Sequence, residues 1–150
     1  MSENSFVHYL TKVLLEVMFY GGIACCLAVP FLAPKAMLYL NYREEIILPL
    51  TLVLLSSGLC ALYIVWHLKS MFKTLIGGNP FIDKNVSSLR KCAVASFVIA
   101  IISMLDMIVG VTITAFLLII IFSLLGLFCL TLKDLFKRAI AYKEENDWTV

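Results

Sequence analysis

The stretch CAVASFVIAIISMLDMIVGVTITAFLLIIIFSLLGLFCLTL, residues 92–132, decides the fold. It is about twice the roughly 20 helical residues that cross a bilayer core of about 30 Å, so it has to be folded back on itself to fit one membrane. Asp106 is its only charged residue, and Gly110, Thr112 and Thr114 follow soon after. A tight helical hairpin at residues 107–113 therefore divides the stretch into two spans. Non-helical backbone is costly in hydrocarbon, which places this turn at the membrane surface or against protein. An acid there is expected either to cap the hairpin through backbone amides or to act as a ligand or proton sensor, and Asp106 holds that position.

Two further apolar tracts precede it, Lys12 to Ala33 and Ile46 to Trp66, each about one bilayer long. Four spans are expected, at about residues 12–33, 46–68, 90–107 and 113–133, with a cytoplasmic loop at 69–89 and a cytoplasmic tail at 134–150. The chain is read as one all-α, polytopic membrane domain, a four-helix bundle of two tandem helical hairpins. Composition agrees: 62% of residues are hydrophobic and mean hydropathy is +0.99, far from a surface that water must wet. The first tract is longer than the apolar core of a cleavable leader and ends in Pro30 and Pro34 without a small-residue cleavage pattern, so it is read as a span.

Lysine and arginine orient the spans. Lys12, the middle loop (Lys69, Lys73, Lys84, Arg90, Lys91) and the tail (Lys133, Lys137, Arg138, Lys143) fall on one side, against Lys35 and Arg43 on the other. The positive-inside rule then puts both termini in the cytoplasm. With a formal net charge of only +2, these residues are read as topology signals that touch anionic lipid headgroups, and no direct nucleic-acid binding is expected.

Cysteines 25, 26, 60, 92 and 129 form no CxxC pair and have no clustered histidines beside them. They are expected to be reduced packing residues, with no metal, disulfide framework or cofactor. Glu16 stands one helical turn from Lys12, where an interfacial ion pair explains it, and His67 beside Trp66 is read as an interfacial residue. With His8 and Asp106 these groups make no acid/base pair or nucleophile triad, and no enzymatic activity is expected.

Residues 68–76 and 132–140 share the pattern Leu-Lys-x-(Met/Leu)-Phe-Lys-x-x-(Ile). The second and fourth helices are thus expected to run on past the bilayer. Leu132, Leu135, Phe136, Ala139 and Ile140 would share one side and Lys133, Lys137 and Arg138 the other, although interfacial physics alone produces similar patterns. Between the hairpins, Gly77-Gly78 can stop a helix, Asn79-Pro80 forces a turn, and Asp83 or Asn85 can cap the next helix. Phe81 and Ile82 are expected to pack under this loop or against the helical extensions. Gly77-Gly78 lacks the spacing and Lys-Ser/Thr ending of a phosphate-binding loop. The tail becomes acidic and then apolar. Its last residues, Asp147-Trp148-Thr149-Val150, have the character of a short strand able to bind a partner, or of a tryptophan anchored at the interface or folded back on the loop.

Gly78-Asn79-Pro80-Phe81, with Asn85 and Leu89-Arg90 after it, and then Phe136-Lys137-Arg138-Ala139 and the ending Lys143-Glu144-Glu145-Asn146-Asp147-Trp148-Thr149-Val150, resemble the bacterial membrane family known as domain of unknown function 2975. The resemblance covers nearly the whole chain, and Trp148 stands where that family's commoner ending has leucine. Members are often encoded beside a very small Cro-like helix-turn-helix regulator, so the resemblance implies such a regulator as a partner. Asn79, Pro80, Phe81 and Glu144, Glu145, Asn146, Asp147, Trp148, Thr149 and Val150 are the candidate partner-binding residues, with Asp106 as a sensor or cap.

Three classes of function are in play. A regulatory protein of the bacterial plasma membrane that sequesters a cytoplasmic regulator leads. A small-molecule transporter or exporter working as an oligomer, and a homo-oligomeric scaffold that does not signal, are the alternatives.

Overall fold

Lengths of apolar helix set the architecture. The computed structural model describes residues 2–109 and 113–149, and its elements are α1 (Ser2–Tyr39), α2 (Glu44–Ile76), α3 (Asp83–Val109) and α4 (Ile113–Trp148). All four are long and apolar enough to cross a membrane, and no strand occurs among the described residues. The break between α3 and α4 falls where the apolar 92–132 stretch has to turn. Gly110 and Thr112, assigned to that turn, lie outside the described residues.

The ends of the helices have local causes. At the end of α1, Tyr42 N–H donates to the Met37 carbonyl and Asn41 N–H to that of Leu38, with Asn41 at φ 59°. This is a left-handed helix stop in which asparagine takes the place usually held by glycine. α2 also ends on a left-handed residue, Gly78 at φ 83°, a conformation that costs glycine nothing; its N–H donates to the Leu75 carbonyl. Pro30 and Pro34 lie inside α1 and Pro49 inside α2, positions that membrane helices tolerate.

The helices pair in chain order. α2 packs against α1 and α3, and α3 packs most extensively against α4. The core sits on α3, where Cys92, Ala93, Ala95 and Ile99 meet Ile64 of α2 and Cys129 of α4. Small residues let these backbones approach: a Cβ on Gly126 would stand 2.9 Å from the Phe97 ring. Ser96 is fully enclosed, and its hydroxyl donates to the Cys92 carbonyl of its own helix, so a polar atom is buried without a gap in its bonding.

Two sequence expectations change here, the partner of Glu16 and the conformation of the tail. Glu16 pairs with Lys69 of α2 at 4.0 Å instead of with Lys12. His67 is buried between helices at the exit of the second span, its ring 4.6 Å from that of Tyr63 and its Nε2 without a hydrogen-bond partner among the described residues. The tail is helical through Trp148, because the α4 hydrogen-bond ladder continues unbroken, and it forms no strand.

Candidate functional site

Chemistry concentrates at the end of the molecule that carries the α2–α3 loop. α2 continues to Ile76 and α3 begins at Asp83, which confines the non-helical connection to residues 77–82. Asn85 holds it in place. Almost completely buried, its side-chain amide donates to Thr74 Oγ1 and to the Pro80 carbonyl, each at 2.7 Å. Thr74 in turn donates to the Met71 carbonyl. The start of α3 is fixed by the Ile82 carbonyl, which accepts from the backbone N–H groups of Asn85 and Val86. Asn85 is therefore a cross-link between α2, the loop and α3, and not the helix cap expected from its position.

Aromatic contacts tie the neighbouring helices to this loop. Phe81 packs edge-on against Phe136 of α4, with ring centroids 5.1 Å apart, and Phe72 of α2 meets His8 of α1 at 6.1 Å. Phe72 and Phe136 are the two phenylalanines of the sequence repeat. They line a single apolar cleft of about 300 Å3, together with Leu15, Met71 and Pro80. Beside it, Lys12, Lys69 and Lys73 line a second cleft of about 370 Å3 with Glu16. Lys69 lies over Phe19 and Tyr20, with its ammonium 5.3 and 5.4 Å from their ring centres.

The candidate residues divide into three groups. Asn79, Pro80 and Phe81 form one surface with Phe136, in which Asn79 and Phe81 are exposed. Glu144 to Thr149 are all exposed on or just beyond the last turns of α4, about 12 to 20 Å along the helix axis from Phe136 at about 1.5 Å per residue. Thr149 Oγ1 donates to the Glu145 carbonyl at 2.9 Å, closing the helix end; Trp148 is 89% exposed and is not folded back on the loop. Val150 lies outside the described residues. Asp106 sits half-buried near the opposite end of α3, with no hydrogen-bond or ion-pair partner among the described residues. The amides of residues 110–112 that a cap would use are not among them.

Sequence reasoning missed the cross-linking role of Asn85; it expected Phe81 to pack under the loop or against a helical extension, and the contact with Phe136 is of the second kind. The repeat was the available signal for which residue of the extension it meets. It marked Phe72 and Phe136 as equivalent, although only packing shows that they share a cleft. The repeat's apolar side is also narrower than expected, since Leu135 is exposed where Leu132, Phe136, Ala139 and Ile140 are half-buried.

Four apolar helices paired in chain order, with a hydrogen-bonded loop and a projecting helix, define a multi-pass membrane protein of all-α class. The chain belongs to the family described as Protein of unknown function (DUF2975), which matches it over residues 11–150. No curated protein and no solved structure matches the chain.

Proposed function

We propose that this protein is a regulatory protein of the bacterial plasma membrane, with both termini in the cytoplasm, that captures a small helix-turn-helix regulator through its α2–α3 loop and the end of α4. The observation that carries the reading is the continuous α4 helix. It leaves the apolar span, passes the loop at Phe136 and presents fully exposed residues through Thr149. A rigid projecting helix costs less ordering entropy on binding than a disordered tail. The acidic run Glu144, Glu145 and Asp147 offers charge complementary to a basic DNA-binding surface. The positive-inside distribution supports the cytoplasmic assignment, and the resemblance of the loop and ending to the family supports the regulator as partner.

Capture from native membranes tests this. Solubilised intact protein and a chain ending at Tyr142 are compared by affinity purification and mass spectrometry. A small DNA-binding protein recovered with the intact chain alone is the expected result. Its equal recovery with both chains removes the tail from the mechanism, and recovery of no soluble protein by either overturns the reading.

A further inference from the structure

Between α2 and α3 lies an open cleft of about 460 Å3 whose walls change character along the helices. The Cys92 thiol stands 3.9 Å from the Ile64 carbonyl, which sets the antiparallel register of the two helices at that level. Ser87, Arg90 and Lys91 line the part of the cleft nearest the loop. Val94, Val98 and Cys60 line the deeper part, and at about 1.5 Å per residue Val98 lies about 12 Å below Arg90. Arg90 and Lys91 are both exposed, and among the described residues neither has an acid within ion-pair distance. Tyr63 lines the cleft between the two parts.

Two unpaired cations and a hydroxyl at bilayer-surface depth, above an apolar trough, match one chemistry. A guanidinium offers a planar fork of donors for phosphate oxygens, and a neighbouring ammonium adds a point charge. The trough below takes hydrocarbon. Basic recesses between membrane helices are suited to anionic headgroups. The α1–α2 cleft is a weaker candidate, because Glu16 there already neutralises Lys69.

We propose that the α2–α3 cleft binds an anionic phospholipid such as phosphatidylglycerol, drawn from the surrounding leaflet, with its phosphate at Arg90 and Lys91 and one acyl chain along Val94 and Val98. The site depends on the four-span fold alone and not on the partner-capture reading.

Trp66 is a built-in reporter: it is half-exposed, and its ring lies 6.3 Å from that of Tyr63. The chain has two tryptophans, so Trp148→Phe leaves Trp66 as the sole tryptophan, which is excited selectively at the red edge of the absorption band. The full-length W148F protein is reconstituted in phosphatidylcholine vesicles containing either dibromostearoyl phosphatidylglycerol or dibromostearoyl phosphatidylcholine, and quenching is converted to relative association. The expected preference for phosphatidylglycerol is roughly tenfold. It falls to unity in R90A/K91A and is retained in the charge-conserving R90K/K91R and in K12A/K73A, which removes equal charge from the α1–α2 cleft. Arg90 and Lys91 are exposed, so these variants fold, and gel filtration verifies it. Equal quenching by the two lipids overturns the proposal, as does an undiminished preference in R90A/K91A. An equal loss in K12A/K73A overturns it in favour of a diffuse surface potential. Displacement of the lipid by inorganic phosphate at matched ionic strength overturns it in favour of a soluble-anion site.

Discussion

In the α3–α4 hairpin, Cys92, Ala93, Ser96 and Ile99 are enclosed almost completely, and Gly126 brings α4 against the Phe97 ring. In the α1–α2 hairpin no described residue of α1 is buried, and contact is made at separate points: Glu16 with Lys69, His8 with Phe72, Gly22 against Leu62, and Gly58 against Cys26. Lipid tails are as apolar as leucine, so hydrophobicity by itself does not join helices in a bilayer. Close approach of small residues does: α3 has it along its length with side chains enclosed, whereas α1 has it at Gly22 and Cys26 with no described residue buried. The second hairpin is therefore a packed platform carrying the projecting helix, and the first is held more loosely against it.

Glycine substitutions break the comparison most directly. Gly126→Leu drives a side chain into Phe97 and is expected to destabilise the protein by about 1 to 3 kcal/mol, the usual cost of overpacking. Gly21→Leu on α1 meets open space and should change stability by less than about 0.5 kcal/mol, as surface changes do. Thermal unfolding in detergent separates the two, and equal losses would show that Gly21 faces a packed surface and not open space.

The loop cross-link comes next in size. Asn85→Ala removes two hydrogen bonds and leaves half-buried acceptors at Thr74 and Pro80, a loss of about 1 to 2 kcal/mol. Hydrogen exchange at residues 77–86 should accelerate by roughly tenfold or more, while the α3–α4 core keeps its protection. Unchanged exchange in the loop would show that the helices hold it without Asn85.

The smallest effect belongs to the first hairpin. Glu16 and Lys69 are partly solvated and 4.0 Å apart, so a double-mutant cycle with Glu16→Gln and Lys69→Met should give a coupling under about 1 kcal/mol that weakens with salt. A larger, salt-insensitive coupling would mean that charge fixes α1 where packing does not.

The sequence carried what depends on short-range physics. Span length, the need for a turn between 107 and 113, and the helix stop at Gly77-Gly78 follow from residues close in the chain, as does the continuation of α2 and α4 beyond the bilayer. Choices among partners did not follow. Glu16 has a lysine one turn away in sequence, but the α1–α2 register brings Lys69 to it. Asn85 is three residues into a helix, where a capping role is the local reading, and only the packing of α2 beside α3 brings Thr74 within its reach. Asp147-Trp148-Thr149 has strand character taken alone, yet it follows an unbroken helix that sets its conformation. Of the candidate partner surface, the packing of Phe81 against a helical extension was legible, and the repeat pointed to Phe136 within it. The separation of the loop from Glu144–Thr149 along α4 was not.

The central claim is that residues 77–82 and the end of α4 share the cytoplasmic face, opposite the α1–α2 turn. Single cysteines at Asn79→Cys, Asn146→Cys and Asn41→Cys, in a chain whose five native cysteines are replaced by alanine, allow labelling by a membrane-impermeant maleimide in intact cells and in inverted vesicles. The account predicts labelling at 79 and 146 only in inverted vesicles and at 41 only in intact cells. Labelling of 146 on the side opposite 79, or of 41 on the same side, would contradict it.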